Sequence, residues 1–105
     1  MVLMATYDKS GIRRRRRPES AIYWFDGNPY RVDLATIHRA MFAGIVAGKY
    51  KSLQHFADTV SRSRSTVSRF FTGRGVGLPV FLETLTELNL RFEDVATLVT
   101  DIGQR

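Results

Sequence analysis

The stretch Ser52-Leu-Gln-His-Phe-Ala-Asp-Thr-Val-Ser-Arg-Ser-Arg-Ser-Thr-Val-Ser-Arg-Phe-Phe-Thr-Gly73 decides how the chain is read. Ser52 can cap a helix running through Val60 that buries Leu53, Phe56, Ala57 and Val60. Ser63 can cap the next one, which runs to Thr72 and is ended by Gly73. Only Val60-Ser61-Arg62 connect them. So short a connection forces a sharp angle, the helix-turn-helix arrangement, whose second helix is the one that enters a major groove.

The helix after Ser63 has two faces. At 100° per residue, Val67, Phe70 and Phe71 cluster on one side and dock on the body. Arg64, Ser65, Ser68 and Arg69 fall within an arc of about 140° on the other. Arginine can bond guanine bidentately through O6 and N7, and a short hydroxyl can reach a base edge or a phosphate. These four are the candidate base-reading residues.

Outward from this stretch the pattern stays helical. Asp33 can cap a helix to about Ala47, with Leu34, Ile37, Met41, Ile45 and Val46 near helical spacing and Gly48 as a stop. Pro79 suits the first turn of a fourth helix ending near Asn89. A fifth is expected from about Phe92 to Ile102. Upstream, Ala21-Ile-Tyr-Trp-Phe25 and Tyr30-Arg-Val32 flank the turn signal Asp26-Gly-Asn-Pro29, a short β-hairpin or extended segment. A lone hairpin is marginal, so Tyr23, Trp24, Phe25 and Tyr30 are expected to pack on the helical body or on a partner. Residues 1–20 read as a flexible basic arm, residues 21–32 as the hairpin and residues 33–105 as the helical domain.

The charge is unevenly spread. The chain has 105 residues and a formal net charge of +6. Residues 1–20 set Lys9 and Arg13, Arg14, Arg15, Arg16 and Arg17 against Asp8 and Glu19, a balance of +4. Residues 49–74 set Lys49, Lys51, Arg62, Arg64, Arg69 and Arg74 against Asp58, a balance of +5. Residues 75–105 carry −3. Such a distribution favours a polyanionic partner. Arg13 to Arg17 suit an arm that tracks phosphates or enters a narrow minor groove.

Other chemistries find little footing. There is no cysteine, so neither a disulfide framework nor a thiolate metal site is possible. His38 and His55 stand apart without carboxylate companions at metal-ligand spacing. Gly73-Arg-Gly-Val-Gly77 comes after a helix instead of a strand and lacks the Lys-Ser/Thr ending of a phosphate loop. No nucleophile elbow or carboxylate pair is present. The reading is of a protein without catalytic residues, cofactor or metal, with no membrane span and a cytoplasmic, nucleoid-associated location.

The residues also carry a family resemblance. Ser63-x-x-Thr66-Val-Ser-Arg69 resembles the recognition helix of LacI-type proteins. Gly73, then Pro79-Val-Phe-Leu-Glu-Thr-Leu85 and Glu87-Leu-Asn-Leu-Arg-Phe-Glu-Asp94, is similar to the segment downstream of that helix in lambda-repressor/Cro-type (XRE-type) domains. The resemblance spans about residues 33–102. It implies an all-α, compact five-helix lambda-repressor-like bundle, here preceded by the arm and the hairpin. It implies base reading by Arg64 and Ser65, matches Arg69 to the arginine of Val-Ser-Arg, and sets Ser52, Ser63 and Thr66 where related proteins touch phosphate. Ser61 and Arg62 occupy turn positions that usually hold glycine and an apolar residue. Ser61 must then adopt an unusual backbone, while Arg62 is available to a phosphate. Leu53 replaces a glutamine that touches phosphate in many XRE-type domains. Lys49, Lys51 and Arg74 complete the candidate backbone contacts.

The expectation is a sequence-specific binder of double-stranded DNA. It would be a transcriptional regulator that represses by occupying an operator, as a homodimer on paired half-sites. Two other readings keep the fold. One is an interaction module, such as an antitoxin or adaptor, with a protein partner at residues 21–32. The other is a nucleoid-associated protein that coats DNA without sequence preference.

Overall fold

Three helices begin on the side chains that the sequence offers as caps. In this computed structural model, which describes residues 19–100, helix α1 spans Leu34–Val46, α2 spans Leu53–Thr59 and α3 spans Arg64–Thr72. Asp33 accepts from the Thr36 amide, Ser52 from the His55 amide and Ser63 from the Thr66 amide. Each cap satisfies one of the first-turn amides that no helix can bond internally. Helix α4 spans Leu78–Glu87 with proline in its first turn.

The helix ends share one device. The Gly48, Ser61 and Asn89 backbones lie at φ 82°, 59° and 62°. In each case the next amide reaches back to the last helical turn: Lys49 to the Gly44 carbonyl, Arg62 to that of Ala57, Leu90 to that of Leu85. This is the Schellman closure, which needs a left-handed residue. Of these three, only α1 uses glycine for it. Ser61 adopts the unusual backbone expected of it.

The hairpin forms at the expected turn. Strand β1 spans Ser20–Phe25 and β2 spans Asn28–Asp33, antiparallel, with Tyr23 opposite Tyr30. Asp26 and Gly27 join them at φ 54° and 79°, the two positive values of a type I′ turn. Side chains alternate in and out, as a strand requires. Tyr23 and Phe25 are buried, while Trp24 is 62% exposed.

The expectation of an all-α bundle is overturned. The fifth helix, α5, lasts only from Phe92 to Val95, and the chain then turns into strand β3, Ala96–Leu98. Strand β3 pairs antiparallel with β2, Val32 opposite Ala96, giving a three-stranded sheet in the order β1-β2-β3. The fold is therefore mixed α/β: a small antiparallel sheet packed with five helices. Two physical reasons account for it. Val95-Ala-Thr-Leu-Val-Thr100 is rich in β-branched residues, which suit a pleated surface. The second edge of β2 also offers unpaired backbone groups that β3 satisfies.

The core is a chain of aromatic rings. Tyr50 packs on Phe56, Phe56 on Phe71, Phe71 on Phe70, Phe70 on Phe81, and Phe81 on Tyr23 and Phe25, with centroids 4.8–5.6 Å apart. The two phenylalanines of α3 sit in the middle, so that helix is gripped by helices on one side and the sheet on the other. Helix α1 departs from its expected stripe. Leu34, Ile37 and Met41 are buried, but Ile45 and Val46 are exposed. Gly44 faces inward instead; a Cβ there would lie 2.6 Å from the Tyr50 ring. Tyr50 thus fills the space that Ile45 and Val46 were expected to occupy.

Candidate nucleic-acid interface

The candidate interface is built on the turn between α2 and α3. The Schellman closure at Ser61 swings the chain through Arg62 to the Ser63 cap, and α3 starts at once. Val67, Phe70 and Phe71 are buried, while Arg64, Ser65 and Arg69 are exposed. The two faces expected from the angular spacing are thus separated as drawn. Ser68 differs: it is half-buried and lines a groove against α1.

The side chains keep different reserves of hydrogen bonding. Arg64, Lys51 and Arg74 have neither hydrogen bond nor ion pair from the side chain among the described residues, so their donors are open. Arg69 donates from Nε to the Gly75 carbonyl at 3.2 Å. That fixes the start of the guanidinium and leaves its terminal NH₂ pair as a free fork. Arg62 places Nε and one terminal nitrogen 3.1 and 2.7 Å from the same Glu83 oxygen, tying the turn to α4. Lys49 lies 3.5 Å from the Glu87 carboxylate. Of the expected backbone cations, Lys51 and Arg74 are thus unencumbered, while Arg62 and Lys49 are shared with acids.

The hydroxyls can be accounted for in the same way, since each has one donor and two acceptor sites. Ser52 Oγ accepts its capping bond and keeps its proton. Ser63 Oγ accepts from the Thr66 amide and donates to Thr66 Oγ1 at 2.9 Å, which consumes its proton. Thr66 keeps its own. Ser52 and Thr66 therefore retain a donor for an anionic oxygen, and Ser63 acts as the cap that orients Thr66.

Two side chains, through hydrogen bonds that the sequence did not announce, hold α3 in place. The last carbonyls of a helix have no partner within it. Tyr23 Oη donates to the Phe70 carbonyl at 2.7 Å, and His38 Nε2 bonds the Phe71 carbonyl at 2.7 Å. A carbonyl only accepts, so the proton sits on Nε2. One bond comes from the sheet and one from α1. Burial pushes the Tyr23 phenol up to about 12, partly offset by the Gly73 amide. These contacts span 47 and 33 residues, and no local pattern announces them.

Gly73 closes α3 at φ 81°. A Cβ there would meet the Ala21 methyl at 2.8 Å and Leu34 at 3.1 Å. The start of β1 therefore touches the C-terminal end of α3. Arg13 to Arg17 lie outside the described residues.

Among known proteins, the chain matches no family model, no curated protein and no solved structure.

Among the described residues no group of three His, Cys, Asp or Glu side chains could hold a metal. No helix there is long and apolar enough to cross a membrane. What the site does present is a ridge: α3 with open Arg64, Ser65 exposed with its hydroxyl proton given to Ser63 Oγ at 3.2 Å, the Arg69 fork beside them, and Lys51, Ser52, Thr66 and Arg74 around its ends.

Proposed function

We propose that this chain binds double-stranded DNA sequence-specifically, with α3 in the major groove, and regulates transcription by occupying an operator. The observation that carries the reading is the outward arc of α3. Arg64, Ser65 and Arg69 stand exposed on a helix that comes directly after a sharp turn, and that helix is locked from behind by Tyr23 and His38. A fixed helix with outward arginines is what bidentate readout of guanine needs.

Base contacts are assigned to Arg64, Ser65 and Arg69, with Ser68 at the margin of the face. Backbone contacts are assigned first to Lys51, Ser52, Thr66 and Arg74, which keep open donors; Lys49 and Arg62 would exchange an acid for a phosphate, and Ser63 orients its neighbours. The basic run Arg13 to Arg17 is assigned to an arm that adds to these contacts. Its five arginines would track phosphates or a flanking minor groove and would add affinity that falls steeply with salt. Two copies on paired half-sites would raise the specificity of so small a reading surface.

Selection from a random duplex pool at physiological salt tests the reading. One enriched motif is expected. Retention of duplex with no motif would replace this reading with nonspecific coating of DNA, and no retention at all would overturn it.

A further inference from the structure

We propose that the groove between α1 and α3 is a docking site for an acidic amphipathic helix of a partner protein. That such docking displaces DNA rests on the function proposed above; the docking itself does not. The groove has a volume of about 520 Å3. Helix α1 lines it with His38, Met41, Phe42 and Ile45, α3 with Ser68, Phe71 and Thr72, and α2 with Leu53. From His38 to Ile45 it runs about 10 Å along α1, the length of two helical turns.

Its chemistry is apolar. The polar groups of the lining are largely spent: His38 Nε2 bonds the Phe71 carbonyl, and Thr72 Oγ1 donates to the Ser68 carbonyl at 2.8 Å. A nucleic acid would find few donors here. Of the lining, Phe42 and Ile45 are 66% and 43% exposed, and Val46 next to Ile45 is 70% exposed. Their spacing along α1 puts them on one face. Adjacent large apolar side chains of this kind mark a contact surface.

Charge and area choose the occupant. Arg64 lies one turn before Ser68 on the same stripe of α3, and Lys51 lies two residues before Leu53. Neither is ion-paired among the described residues, so two free cations neighbour the lining residues along the chain. A second copy would bring these cations against their own kind on a chain of net charge +6. The exposed apolar area of Phe42, Ile45 and Val46 amounts to roughly 300 Å2, a patch that one face of a single docked helix can cover. A single helix with apolar residues at i, i+3 or i+4 and i+7, flanked by glutamates, fits the length, the apolar floor and the charge together. Because Ser68 and Thr72 border the outward arc of α3, a helix lying on them crowds that arc and keeps it from a major groove.

The test uses the full chain and a fluorescein-labelled synthetic peptide about four turns long, with leucines at those positions and glutamates elsewhere. Anisotropy in the absence of DNA should show saturable binding. Phe42→Ser, at an exposed position, should leave the melting temperature unchanged and weaken binding about tenfold or more. A peptide with lysine in place of glutamate should not bind, and duplex DNA of the selected motif should displace the acidic one. Peptide binding in a chain that selects no DNA motif would still support the docking and remove only its consequence for DNA. The proposal is overturned if Phe42→Ser binds as tightly as the wild type or if the lysine peptide binds equally well. It is also overturned if the free chain doubles its mass through this face, with Phe42→Ser restoring the monomer.

Discussion

Replacing Tyr23 with phenylalanine removes one oxygen and leaves the ring. The ring is 1% exposed and packs on Phe25 and Phe81, so apolar packing is retained. What is lost is the 2.7 Å bond to the Phe70 carbonyl. That carbonyl lies in the last turn of α3, where no backbone amide reaches it, and the bond is buried. A buried acceptor left unpaired costs about 1–3 kcal/mol. For a domain of this size each kcal/mol is worth about 4–8 °C in melting temperature. Tyr23→Phe should therefore melt about 10 °C lower by calorimetry or circular dichroism, with affinity for DNA falling as α3 loosens. The same phenol gives an alkaline signature. Its folded-state value of about 12 stands above the ordinary 10. Its stabilising contribution is thus complete below pH 10 and is lost as pH rises through 12, about 2–3 kcal/mol in all. The Tyr23→Phe protein should lose less stability over that window than the wild type. Tyr50, held up by burial and by the Glu87 carboxylate, should remain as a second source of alkaline unfolding in both. A variant that melts within a degree of the wild type and traces the same alkaline curve would refute the structural role given to this bond.

The backbone and the surface give further expected outcomes. Gly73→Ala combines a left-handed conformation with a methyl 2.8 Å from Ala21, and should cost about 2–4 kcal/mol in denaturant titration. Ser61→Gly relieves a non-glycine residue at φ 59°, and should gain up to about 1 kcal/mol, read as a higher midpoint at unchanged slope. Glu83→Gln breaks a pair with Arg62 that is partly open to water; the melting temperature should fall by no more than a few degrees, since such pairs contribute about 1 kcal/mol or less.

The features legible in the sequence were local ones. Asp33, Ser52 and Ser63 announce their helices because a short polar side chain before an apolar period has one common use, and each accepts the first-turn amide expected of it. Asp26-Gly27 announces its turn because two successive left-handed residues are tolerated there. Ser61 could be marked as strained because the resemblance puts it at a turn position that usually holds glycine. The features that escaped were set by distant partners. Phe92, Val95, Ala96 and Val99 fit a helical period, and the open edge of β2, a distant partner, tips the β-branched run so that Ala96–Leu98 become a strand. Periodicity marks Ile45 and Val46 as apolar but cannot show that Tyr50, folded back on Gly44, takes their place in the core. On the candidate site, the outward arc of α3 was legible from angle alone. The bonds that hold α3 from behind, and the pairing of Arg62 with Glu83 across 21 residues, were not.

The most direct measurement compares affinity for the selected duplex with affinity for an unrelated one, in the wild type and in a protein carrying Arg64→Ala with Arg69→Ala. Each bidentate arginine contact contributes about 1–3 kcal/mol of discrimination. If α3 reads bases through these side chains, the ratio collapses by roughly tenfold to a hundredfold for each arginine, while binding to unrelated duplex, carried by Lys51, Arg74 and the arm, changes far less. A double variant that keeps the wild-type ratio would contradict the assignment of α3 as the reading helix.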